Sequence, residues 1–341
     1  MMHQSNKTSF IRSKIIIAGV AAAIIVNACS KDAAVQNDNH SNIDAPSISQ
    51  GRATPKQTPL LECNVPGWRI TTQGEIKDSN GEIWDTPASV NFTNGPKATD
   101  IFNECNNVTF PNADVLAIDD IPLTEINSEG EIFVLYFFGD NYSEIYVNSQ
   151  LIGVDPVPYW PFNTSAVRFK AKRPFLLGAK LVDWEENLNL GSELMRGVPF
   201  HNGDGGFVGI LKDKDNQTVA ITDESWRVQF YYASPLLDPD CFTFINGARS
   251  SNNCTSPEKQ NAESAYAARW PVPENWANLD FDDSDWTFAS LYTNEEIGGS
   301  LNRPAYSNFT GLFDAEEDDA QFIWSSNLLL DNLVLARKVI E

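Results

Sequence analysis

"EIFVLYFFGDNYSEIYVNSQLIG", Glu131 to Gly153, is the stretch whose reading decides the fold. Its first eight residues form a nearly unbroken apolar run, the pattern of a strand buried on both faces. Gly139-Asp140-Asn141 interrupts the run, a short strand follows, and Asn148-Ser149 reverses the chain into a second short strand. Strand, break, hairpin is the grammar of an antiparallel sheet. The same texture continues outward. "VRFKAK" (Val167 to Lys172) and "AKLVDW" (Ala179 to Trp184) alternate, with Leu181 and Asp183 on one side and Val182 and Trp184 on the other. Gly206 to Tyr232 reads as another hairpin, turning at about Lys214 to Asn216. Phe322 to Ile340 reads as two strands around Asp331-Asn332, and Ser79-Asn80-Gly81 marks another hairpin. Helical periodicity is confined to Glu258–Arg269, ahead of Pro271. Many short strands at regular spacing predict an all-β chain, an antiparallel β-sandwich with loop insertions, the longest of them at 235–275.

The two ends of the composition limit function. With 46 acids against 24 bases the net charge is -22, which repels a phosphodiester backbone and argues against nucleic-acid binding. Lys7, Arg12 and Lys14 precede "IIIAGVAAAIIV" (Ile15 to Val26). As a helix that segment is about 18 Å long, short of a bilayer core of about 30 Å, so it reads as the apolar region of an export signal. Ala28-Cys29 then resembles the processing site of bacterial lipoproteins, although Asn27 stands where a small residue is usual. The resemblance implies a signal peptide over 1–28, lipid on Cys29 and attachment to the bacterial outer membrane. Lys31-Asp32 is similar to the start of Bacteroidota lipoproteins, where such residues favour the cell surface. Residues 29–59 are polar and lack large apolar side chains, so a flexible tether is expected there, with one domain over 60–341.

Apart from Cys29, four cysteines remain: Cys63, Cys105, Cys241 and Cys254. In an exported chain they read as two disulfides, for which three connectivities exist. Neighbourhood in sequence favours Cys63–Cys105 and Cys241–Cys254.

Within 131–341 the chain resembles the galactose-binding-like jelly-roll domains attached to α-L-rhamnosidases and other glycoside hydrolases. The hairpin carries Asp140, Glu144, Tyr146, Val147, Asn148 and Gly153 of that family's pattern, with Ser149 in place of the usual turn glycine. "ITDESWRVQ" (Ile221 to Gln229), "LDFDDSDWTFASLY" (Leu279 to Tyr292) and the terminal "FIW…ARKVI" pair are similar to three further motifs. The last usually opens the domain, which implies a permuted strand order. The resemblance implies carbohydrate recognition, with a structural Ca2+ as an optional addition and no required cofactor.

The residues themselves assign these motifs to structure first. Trp226 and Trp286 are placed to begin strands, with their indole N–H groups bonded to backbone, and Asp282, Asp283 and Ser284 to cap a turn. Sugar recognition needs an apolar platform flanked by amides and carboxylates, which Tyr159, Trp160, Phe162 and Asn163 offer, as do Trp184 and Glu185 and the loop His201 to Asp204. Oxygen donors for Ca2+ are available at Asp119, Asp120, Asp204, Asp238 and Asp240. The loop from Asp213 has Thr218 where an EF-hand requires glycine. Catalysis is not expected. Asp183, Glu185 and Glu186 have no spacing that sets two carboxyls across a cleft, His201 is an isolated base, and no nucleophile elbow occurs. A noncatalytic glycan-binding lipoprotein is the favoured reading; a scaffold or protein-docking lipoprotein and a glycosidase or lyase are the alternatives.

Overall fold

The computed structural model describes residues 45–59, 72–101, 118–156, 164–183, 192–195, 198–202, 205–245, 247–257, 263–297, 312–316 and 318–341. The expected signal peptide and Cys29 fall in 1–44, outside the described residues.

The rest is an all-β sandwich of two large sheets. One runs in the order Ser47–Gln50, Tyr266–Arg269, Arg227–Leu236, Asp331–Ile340, Phe175–Val182, Tyr142–Val147 and Gln150–Val154, with Thr287–Phe288 added beside Arg227–Leu236. The other runs Ser290–Tyr292, Phe322–Trp324, Gly206–Asp213, Glu131–Asp140, Ser165–Ala171 and Thr99–Asp100. Thr218–Ile221 flanks Gly206–Asp213 in this second sheet, and Leu123–Glu125 lies parallel to Ser165–Ala171. All other pairings in the two sheets are antiparallel.

Glu131–Asp140 is buried on both faces, as its composition predicts. Phe133, Leu135 and Phe137 enter the core between the sheets, with Phe169, Phe207, Ile145 and Leu177. Phe133 meets Phe175 of the opposite sheet at 5.1 Å between ring centroids. Val134, Tyr136 and Phe138 point the other way, into a second cluster closed by Ile121, Ile297, Phe313 and Ala320. A strand apolar at both parities is stable only with cover on both sides.

The hairpin turn falls at Asn148 and Ser149, with φ of +46° and +69°, a primed turn that suits the right-handed twist of the strands. Asn148 Oδ1 accepts from the Leu176 N–H at 2.9 Å, and the Ser149 N–H donates to the Ala277 carbonyl at 2.8 Å. These bonds fix a residue other than glycine in the left-handed region. Asp213 Oδ1 likewise accepts from the Asp215 and Gln217 N–H groups at 2.8 and 2.9 Å, closing the expected turn at 214–216. Asp78 does the same for Asn80 and Glu82 in the hairpin Thr72–Lys77 with Ile83–Thr86.

Four expectations change. Tyr266–Arg269 is a strand, not helix, because it pairs on one edge with Ser47–Gln50 and on the other with Arg227–Leu236; residues 258–262 lie outside the described part. The described part of the stretch assigned to the tether is paired strand: Ser47–Gln50 joins the first sheet and Thr54–Pro59 a small three-stranded sheet. Main-chain pairing, which needs no apolar side chain, orders them. The Phe322–Trp324 and Asp331–Ile340 strands belong to different sheets, and the reversal occupies 325–330, where Asn327 Oδ1 accepts from the Leu329 and Leu330 N–H groups. Lastly, the 235–275 insertion contributes to the main core through Ala267, Ala268 and Trp270. The Cys241–Cys254 disulfide is present; Cys63 and Cys105 lie outside the described residues.

Candidate functional site

The register gathers the roots of several loops at one end of the sandwich. Val154 pairs one step past Tyr142–Ser143 and the Asp155 N–H donates to the Ser143 carbonyl at 2.9 Å. On the opposite edge of the same strand Val182 pairs with Tyr142, and the Asn141 N–H donates to the Val182 carbonyl at 3.0 Å. The chain therefore leaves the sheet at Pro156 and at Asp183 on either side of one strand, about 10 Å apart at ordinary strand spacing. In the second sheet Gly206 pairs with Asp140 and Ser165 with Phe137, while the Ile101 N–H donates to the Thr164 carbonyl at 2.8 Å. Ile101, Pro156, Thr164, Asp183 and Gly205, which flank the segments 102–117, 157–163, 184–191 and 203–204, thus share this end. Tyr159, Trp160, Phe162, Asn163, Trp184, Glu185, Glu186 and Asp204 lie in those segments, outside the described residues; His201 falls within the Val198–Asn202 strand.

The motif residues do structural work. Glu144, fully buried, projects from the outer face of the first sheet and accepts from the Asn91 backbone N–H at 2.6 Å and the Asn91 side-chain amide at 2.9 Å. The hydroxyls of Tyr142 and Tyr146 add bonds of 3.1 and 2.6 Å, and Lys180 Nζ stands 3.7 Å away. Lys180 also donates to the Ser89 carbonyl. Burial, then the Glu144 charge, pushes both phenols up; burial lowers Lys180 despite the pull of Glu144. Every oxygen of Glu144 is engaged, so this carboxylate clamps the 85–92 segment onto the sheet. Phe92 packs edge-on against Tyr142 beside it.

The "FDDSDW" motif is clamped from below by Arg337, which is buried. Its Nε meets Asp283 Oδ2 at 2.8 Å, and its other nitrogens reach the carbonyls of Trp276, Asn278 and Phe281. The guanidinium lies under the Phe281 and Trp286 rings. Asp282 Oδ1 accepts from the Ser284 N–H at 3.1 Å, the cap that the sequence suggests. Trp226 Nε1 donates to the Ile221 carbonyl at 2.9 Å, again as expected at a strand start.

Asp331, in the terminal motif, is sealed from water. Ser251 Oγ and Ser325 Oγ donate to it at 2.7 and 2.5 Å, which ties the disulfide loop to the crossover between sheets. Burial pushes its carboxyl up to about 7 against these hydroxyls and Arg249. Lys180, Arg337 and Asn91 escaped the sequence reading. The one signal was a base set in otherwise apolar strands, "FLLGAKLV" and "NLVLARKVI".

Among the described residues no three carboxylate, imidazole or thiol side chains gather as a metal site. Asp119 pairs with Arg168 at 2.7 Å, and Asp238 Oδ1 accepts from the Asp240 N–H at 2.9 Å. Compared with protein-family models, curated proteins and solved structures, the chain matches none of them.

Proposed function

We propose that this chain is a noncatalytic, lipid-anchored envelope protein that recognises glycan through the loops at one end of its sandwich. The observation that carries the reading is the convergence of loop roots at Pro156, Thr164, Asp183 and Gly205, because the connections there hold the aromatic, amide and carboxylate residues suited to sugar. A rigid scaffold presenting variable loops is the usual arrangement for recognition. The motif carboxylates support a binding role over hydrolysis: Glu144, Asp283 and Asp331 are committed to internal partners. Titrating the full-length chain with a panel of neutral and acidic polysaccharide fragments tests this. Binding to at least one, weakened by Trp160→Ala or Glu185→Ala without loss of folding, is expected. Absence of binding across the panel overturns it, and turnover of a fragment replaces it with the glycosidase or lyase reading.

A protein-docking role is the second reading. It is favoured by Phe244 and Ile245, 49% and 57% exposed on the short hairpin inside the Cys241–Cys254 loop. Crosslinking from Phe244 in intact cells that captures one envelope protein, with no glycan bound by the purified chain, would establish it.

A further inference from the structure

A groove of about 300 Å³ lies on the flank of the sandwich, lined by Thr218, Val219, Ala220, Ile221, Asp223, Asp318 and Lys338. It bridges the two sheets: Thr218–Ile221 is an edge strand of the second, whereas Lys338 belongs to the central Asp331–Ile340 strand of the first. Lys338 pairs with Leu177 and Lys212 with Val134, which puts the groove toward the end opposite the loop roots.

Its chemistry is specific. The floor is the half-buried run Val219, Ala220 and Ile221. Each charge nearby has an opposite at hand: Lys212 Nζ lies 3.2 Å from Asp318 Oδ2 and 3.2 Å from Thr218 Oγ1, and Lys338 Nζ lies 3.9 Å from Asp223 Oδ1. Lys338 also donates to the Ser225 hydroxyl. The Thr218 hydroxyl and Lys212 hold the Asp318 carboxyl below its usual range, so it presents as an ionised acceptor. A chain of net charge -22 repels anions, and a groove whose own charges cancel has no net field with which to attract an ion. What remains is an apolar strip between a carboxylate acceptor and an ammonium donor, with the volume of the smallest ligand clefts. An uncharged polyol fits that description.

We propose that this groove is a second saccharide subsite, taking one or two neutral sugar rings whose hydroxyls bridge Asp318 and Lys338 while their C–H face lies on Val219 to Ile221. The assignment rests on the glycan reading above and adds to it a separate surface and a charge class. The experiment is calorimetric titration of the full-length chain with neutral gluco-, galacto-, manno- and rhamno-oligosaccharides, and with a uronic-acid oligosaccharide as the charged counterpart. Ala220→Trp, which fills the groove, is expected to abolish one class of neutral-sugar binding. Lys338→Met and Asp318→Asn, both at partly exposed positions, are expected to weaken it roughly tenfold by leaving one polar partner unmatched. The uronate is expected to bind more weakly than its neutral analogue. Should Ala220→Trp melt early, the two milder variants decide by the same readout. A sugar that binds the groove variants as it binds the parent, and is lost only in Trp160→Ala, overturns the groove and leaves the loop site standing. A parent chain that binds no sugar overturns both.

Discussion

Asp331 shows how a single residue can set the response of the whole chain to pH. An aspartate in an unfolded chain titrates near 4, and burial pushes this one up to about 7. The folded state therefore binds the proton more tightly than the unfolded state. The resulting stabilisation is fully present below about pH 4 and is lost as pH rises through 7. Arg249, Ser251 and Ser325 oppose the shift, and Tyr292, bonded to the Ser325 carbonyl at 2.7 Å, faces the same pocket. Urea unfolding between pH 4 and 8 should show stability falling by on the order of 4 kcal/mol from this group, and Asp331→Asn should remove that slope. A variant with the parent's pH profile would place the titrating group elsewhere. Glu144 makes a second test. Glu144→Leu leaves Lys180 buried without its counter-charge and should cost about 3–5 kcal/mol, and adding Lys180→Met should recover the share due to the orphaned ammonium while the Asn91 and tyrosine bonds stay lost. A double-variant cost equal to the sum of the two single-variant costs would show that the two side chains do not couple.

At the scale of elements, buried polar staples fasten cover loops to the outer face of the first sheet. Arg337 holds 276–286, Glu144 and Lys180 hold 85–92, and Ser251 with Asp331 holds the disulfide loop. Arg337→Met should release the first of these, exposing Trp276 and Trp286. Limited proteolysis within 276–286 and a red-shifted tryptophan emission would report it. Replacing Cys241 and Cys254 by serine opens a loop with a separation of 13 residues and should cost roughly 3 kcal/mol in the chain-entropy account. Thermal melts of the paired variants check the figure.

These staples also mark where sequence reasoning stopped. Glu131–Phe138 was legible because both parities are apolar, and the turns at 148–149 and 214–216 because Asn, Asp and Ser tolerate tight backbone. Lys180 and Arg337 were not, since a base alternating with apolar residues ordinarily points to water. Here the cover arrives from loops remote in sequence. The Ala-rich segment before Pro271 has helical propensity, but two neighbouring strands outweigh it. Tyr159, Trp160, Asn163, Trp184 and Glu185 fall in segments outside the described part, and the structure bears on them through where their loops depart.

For the molecule as a whole, the proposed export and lipid attachment make one expectation that does not depend on any ligand. Growth with a clickable palmitate analogue should label the chain and leave it in the membrane fraction, while Cys29→Ser should lose both properties. A labelled Cys29→Ser protein would move the attachment point to another residue.

The doubly covered Glu131–Asp140 strand has a further consequence for biogenesis. Its hydrogen-bonding neighbours, Ser165–Ala171 and Gly206–Asp213, come later in the chain, and of the lid over its second face Ile121 comes earlier but Ile297, Phe313 and Ala320 come later still. In the N-terminus-first export proposed above, this strand therefore emerges before both its neighbours and most of its lid. Forms ending before residue 297 lack Ile297, Phe313 and Ala320 and should aggregate, which light scattering of such truncations would check.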